Sequence, residues 1–167
     1  MTRTKCRACG RAEMTSRVES YRYVESGLPN VVLENIEVRR CASCGHHELV
    51  LPRVTELYKA IARAIVTKKA PLRGAEIRYL RKYLGWSGDD FADYMEVDPS
   101  TVARWETDEE PMGPLHDRLL RVSVMLRSPV EDYSLEDLKK ITPEPRPSAD
   151  FRLFPRFDGW ELAGVAI

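Results

Sequence analysis

Two sets of side chains in this sequence have types and spacings suited to chemistry. The first is Cys6-Arg7-Ala8-Cys9-Gly10, repeated as Cys41-Ala42-Ser43-Cys44-Gly45, which together use all four cysteines of the chain. Two residues between thiolates let one tight turn aim both sulfurs at one ion, and two such turns complete a tetrahedron. A glycine after each second cysteine permits φ > 0, so that nearby N–H groups can turn toward sulfur. The spacing therefore predicts a structural Zn2+ held by Cys6, Cys9, Cys41 and Cys44. Four thiolates close the coordination shell and leave no water for the metal to activate. His46 and His47 follow the last cysteine and are expected outside that shell. Two disulfides are disfavoured in a reducing compartment, and no βαβ pattern surrounds either pair as a thioredoxin-like motif requires.

The second set lies in Asp98-Pro99-Ser100-Thr101-Val102-Ala103-Arg104-Trp105-Glu106. Asp98 suits a helix N-cap and Pro99 the first helical position. At 100° per residue, Val102, Trp105 and Glu106 share one side, and Ser100, Arg104 and Thr107 the other. One guanidinium flanked by short hydroxyls suits a major groove, because Arg pairs with guanine edges and Ser or Thr with bases or phosphates. Thr101 lies at the edge of that face, within reach of a phosphate.

Positioning these groups requires a small β-rich head and a helical body. Arg17–Val24 and Val31–Arg39 alternate in part, with Gly27-Leu28-Pro29-Asn30 as the turn between them. From Pro52 to about Lys68, Val54, Leu57, Tyr58, Ile61, Ile65 and Val66 recur at helical spacing, and Ala70-Pro71-Leu72-Arg73-Gly74 breaks that helix. A helix over 75–84 ends at Gly85, and Ser87 with Asp90 opens the next one as a capping box. Glu96-Val97 then turns the chain into the helix begun by Asp98. Two short helices joined by so short a turn make a helix-turn-helix, whose second helix enters the groove. Leu115, Leu119, Val122 and Leu126 are expected to face inward on a following helix, as are Leu135, Leu138 and Ile141 on a short one. A Pro-rich stretch, 142–147, leads to alternating aromatics and charges over 151–162, an extended segment that packs on a partner or on the body of the protein.

The expected fold class is α+β. A zinc-bound head spans 1–51, a basic connecting helix and linker 52–73, an all-α helix-turn-helix domain 74–141, and a linker with an interaction tail 142–167.

At 167 residues, with 43% hydrophobic and 31% charged side chains, the composition is that of a soluble globular protein. No apolar run is long enough for a membrane span, and Met1-Thr2-Arg3-Thr4-Lys5-Cys6 lacks a signal-peptide core, so a prokaryotic cytoplasm is the expected location. Net charge is zero, but residues 52–73 carry six Lys/Arg against one Asp/Glu, and residues 74–127 seven against eleven. The connecting helix could thus offer phosphates the positive charge that the helix-turn-helix unit lacks. No nucleophile–histidine arrangement, phosphate loop or open metal site argues for an enzyme.

Leu80-Arg81, Gly85, Phe91-Ala92 and Val97 through Glu106 resemble the helix-turn-helix of the phage-repressor (Xre/Cro) family. Joined to the paired CxxCG head, itself similar to a YgiT-type zinc domain, the chain resembles the MqsA-type antitoxins of type II toxin–antitoxin pairs. The resemblance spans residues 6 to about 127. It implies a homodimer that binds a palindromic operator in its own promoter, and a zinc domain that neutralises a partner toxin. It further implies base contacts from Ser100, Thr101 and Arg104, and an ion pair between Arg81 and Glu106. Glu96 stands where that family usually has a turn glycine. The alternative is a stand-alone zinc-dependent regulator of the same helix-turn-helix family, with no toxin.

Overall fold

A computed structural model describes residues 5–11, 13–130, 133–141 and 149–163, and the Leu135 side chain lies outside that description. The Pro-rich stretch at 142–147 also falls outside the described residues. The chain is mixed α and β. It opens on an antiparallel hairpin of β1 (Met14–Arg22) and β2 (Val31–Cys41), paired from Met14 opposite Cys41 to Arg22 opposite Val32. A single 3-10 turn, Val24–Ser26, and Gly27 at φ 79° reverse the chain between them. The strands extend further toward the cysteines than their alternation predicts. β3 (His47–Val50) then runs back along the end of β2, from Arg40 opposite His47 to Glu37 opposite Val50.

The sheet is completed from the other end of the sequence. β4 (Phe151–Pro155) lies parallel to the start of β2, with Val31 opposite Phe151 and Leu33 opposite Leu153. β5 (Trp160–Leu162) folds back on β4. Of the two resting places expected for the 151–162 segment, it takes the body of the protein, as part of the head's own sheet. Phe151 and Leu153 are buried there, the amide of Asn30 donates to the carbonyl of Ala149, and Arg152 pairs with Glu34 at 2.6 Å. Alternation marks 151–155 as a strand, but nothing local specifies a parallel partner more than a hundred residues away.

Among the described residues, six helices lie between β3 and β4: α1 (Val54–Thr67), α2 (Gly74–Leu84), α3 (Gly88–Met95), α4 (Pro99–Glu106), α5 (Pro114–Arg127) and α6 (Leu135–Lys139). None among the described residues is long and apolar enough to cross a membrane. α1 buries Leu57, Ile61, Ala62, Ala64, Ile65 and Val66, each large aliphatic chain contributing about 1.5–3 kcal/mol. One apolar cluster runs without a break from β2 and β4 through α1 into α2, α3, α4 and α5.

The segment after α1, marked as a break by Pro71 and Gly74, is pinned by a buried cation. Arg121 on α5 is fully enclosed; it pairs with Asp117 at 2.6 Å and donates to the carbonyls of Val66, Lys68 and Ala70. Asp117 also accepts the N–H of Leu72 at 2.7 Å. These bonds fix the rotation of α5 and overturn the expected inward stripe. Asp117, Leu120, Arg121 and Val124 face the core, while Leu115 and Leu126 are 74% and 80% exposed and Leu119 is also exposed. An amphipathic count favours leucines inward; a guanidinium satisfied by four oxygens wins the position instead.

Candidate functional site

The cysteines meet at the open end of the β1–β2 hairpin. Cys6 and Cys9 precede β1, Cys41 ends β2, and Cys44 lies in the turn before β3. Each CxxCG closes on itself: Gly10 N–H donates to Cys6 O at 2.9 Å, and Gly45 N–H to Cys41 O at 3.0 Å. Both glycines sit in the left-handed region, at φ 65° and 73°, as such a reversal demands. The four sulfurs lie within 4.8 Å of one another, with Cys6–Cys44 at 3.7 Å and Cys9–Cys41 at 3.6 Å. A tetrahedron with Zn–S bonds of about 2.3 Å has edges of about 3.8 Å, so the donor set fits such an ion. A disulfide would need sulfurs at about 2.05 Å. The thiols also differ. A backbone hydrogen bond from Arg11 lowers Cys9 to about 6. Cys44 is pushed up to about 12: the His46 backbone favours its thiolate, but desolvation and the hydrogen bonds shared with the other three sulfurs outweigh that. Four sulfurs this close cannot all ionise without a cation among them. The cluster can hold a metal ion such as zinc.

His46 and His47 lie beside the cluster on other partners. His46 is 3.7 Å from Glu48, and His47 shares a 3.0 Å hydrogen bond with the Tyr21 hydroxyl.

The second set of residues is carried by α4, and local signals build it. Asp98 accepts from Ser100 N–H at 2.8 Å and Pro99 occupies the first turn. α3 is capped the same way, with Ser87 and Asp90 exchanging hydrogen bonds. Between α3 and α4 the chain turns in three residues, Glu96 to Asp98, with Glu96 in the left-handed region at φ 51°. Val102 and Trp105 bury the inner side of α4, and Trp105 meets Phe91 of α3 edge-on. Glu106 is held by two cations of α2. Arg81 donates at 2.6 and 3.2 Å, and Arg78 at 3.1 Å. Burial would raise the Glu106 carboxyl, but these guanidiniums hold it below the usual range. The Arg81–Glu106 pair implied by the resemblance is present; Arg78, three residues earlier on the same face of α2, joins it. α2 must also come very close, since a Cβ on Gly74 would stand 2.6 Å from the Glu106 carbonyl oxygen.

On the outer side, three of the four predicted residues come together. The Arg104 guanidinium donates to Ser100 Oγ at 3.2 Å and to Thr101 Oγ1 at 2.9 Å, with its side chain 43% exposed. Thr107 lies one residue past the helix and turns its hydroxyl back to the carbonyls of Ala103 and Arg104. Glu110, which no local pattern marks, joins them: its carboxylate accepts from Arg104 Nε at 2.9 Å. The acidic run Asp108-Glu109-Glu110 was legible as charge, but not as a partner, because the turn after α4 brings it back. The outer face thus offers planar donors for an acceptor edge, with one carboxylate competing for them.

No protein-family model matches the chain, and neither does any curated protein sequence.

Proposed function

We propose that this chain is the antitoxin of a type II toxin–antitoxin pair. In this reading a structural Zn2+ on Cys6, Cys9, Cys41 and Cys44 shapes the head that neutralises a partner toxin, and a helix-turn-helix formed by α3 and α4 binds operator DNA as an autorepressor. The zinc acts through folding, because a four-thiolate shell leaves no open position. The observation that carries the DNA reading is the outer face of α4. Ser100 is exposed, and Arg104 and Thr101 stand half-exposed beside it, on a helix whose other side is fixed in the core. Such a helix can present its first turns to base edges without moving.

A palindromic operator requires two copies of the chain, and α5 supports that. Leu115, Leu119, Val122 and Leu126 recur at alternating spacings of four and three, with all three leucines exposed. An antiparallel second copy would set Leu115 against Leu126 and Leu119 against Val122 across a two-fold axis.

Selection from a random duplex pool with the zinc-loaded chain tests the DNA half. Enrichment of a two-fold symmetric site supports it, and no enrichment overturns it. Expressing the adjacent gene alone and together with this one tests the other half. Growth arrest relieved by co-expression supports an antitoxin; a harmless neighbour leaves the stand-alone regulator.

A further inference from the structure

A cleft of about 530 Å³ opens where four separate elements meet. Its walls come from the 3-10 turn (Glu25, Ser26), α1 (Thr55, Tyr58, Lys59), α2 (Tyr79, Lys82, Tyr83) and the end of α5 (Arg127). Its size falls within the range of small-ligand sites, and neither the cysteines nor α4 contribute to it.

The lining is selective. Three tyrosines face the space with three cations and one carboxylate. Tyr79 is fixed, its hydroxyl donating to the Tyr58 carbonyl at 3.2 Å. Glu25 is engaged by the Tyr21 hydroxyl at 2.7 Å. Lys59 leans on Glu56 at 2.9 Å, an exposed pair that a stronger anion can displace, and Arg127 keeps its charge while donating to the Leu84 carbonyl. The Lys82 ammonium has no hydrogen bond or ion pair, and the Tyr83 hydroxyl no hydrogen bond, among the described residues. Unspent donors beside aromatic rings suit a flat ligand carrying negative charge. The rings take its face, and Lys82, Lys59 and Arg127 take its anion.

We infer that this cleft binds a small planar anion, an aromatic ring bearing a phosphate ester or a carboxylate. The site stands apart from the DNA and toxin reading and survives if that reading fails. Adenosine 5′-monophosphate and 4-hydroxybenzoate represent the two sources of the anion; adenosine and inorganic phosphate are the controls. Each is titrated into the full zinc-loaded chain while the ring signals of Tyr58, Tyr79 and Tyr83 are followed by NMR.

At least one ring-bearing anion is expected to shift those signals saturably, and which one does so names the source. Adenosine or phosphate alone should bind at least about tenfold more weakly than the monophosphate if the ester is the ligand. Lys82→Glu and Tyr83→Ala should each weaken binding about tenfold, and Lys82→Gln by less, with the melting temperature of Lys82→Gln unchanged because Lys82 is exposed. The inference is overturned if neither anion moves the tyrosine signals, if the uncharged ring binds as well as its charged form, or if Lys82→Glu binds like the parent chain.

Discussion

The cysteine turns and α4 present their functional atoms by opposite means. Around the cysteines there is little apolar packing: Cys6 and Cys41 are buried, but residues 42–47 are exposed and the turns close only on their own backbone. α4 is held from within, by Val102 and Trp105 in the common core and by Glu106 between two guanidiniums. One region gathers four thiols that an ion could hold together; the other is built by packing and ion pairs alone. An ion at the cysteines could therefore tighten those turns without being required by the strands or the helices, which share one core.

If packing defines the helical region, its buried ion pairs should matter most. Arg121→Ala leaves Asp117 and three carbonyls without their donor and should cost about 3–5 kcal/mol, measured by urea unfolding. A cost near zero would mean that the α1–α2 junction is not held as described. Arg81→Ala should cost less, about 2–3 kcal/mol, because Arg78 still faces Glu106. The same pair predicts a pH dependence. The Glu106 carboxyl sits below its ordinary pKa of 4.5 when folded, so its contribution is full above that pH and is lost as pH falls through the folded-state value. Acid unfolding of Arg81→Ala should accordingly show a smaller loss of stability below pH 4.5 than the parent chain.

Arg104→Ala should cost about 1–3 kcal/mol in binding to the selected duplex and relax preference at one base pair, with folding stability almost unchanged. Fluorescence anisotropy measures the first and thermal unfolding the second. The smallest effect belongs to Glu96, a β-carbon residue at φ 51° in the turn before α4. Glu96→Gly should raise stability by about 1 kcal/mol without altering metal content.

Both candidate sites were legible because short-range signals write them. Paired CxxCG turns, the Asp98-Pro99 helix start and the Ser87–Asp90 box each act within a few residues. What escaped is long-range. β4 finds β2 across most of the chain, Arg121 reaches back some fifty residues to carbonyls at and just past the end of α1, and Glu110 returns to Arg104 only because of the turn after α4. The inverted face of α5 follows from the same cause, since hydrophobic periodicity cannot foresee a charged side chain that joins Asp117 on its own helix to three carbonyls of a distant segment. The domain limits of 51 and 73 were drawn from local breaks, and the apolar cluster runs across both.

The most direct test of this contrast is hydrogen exchange, followed by mass spectrometry, on the full chain loaded with Zn2+ and again after treatment with a chelator. Protection should collapse in the cysteine turns at 6–11 and 41–50 and persist in α2 through α5. Equal loss across the helices, or cysteine turns that stay protected without metal, would contradict the account.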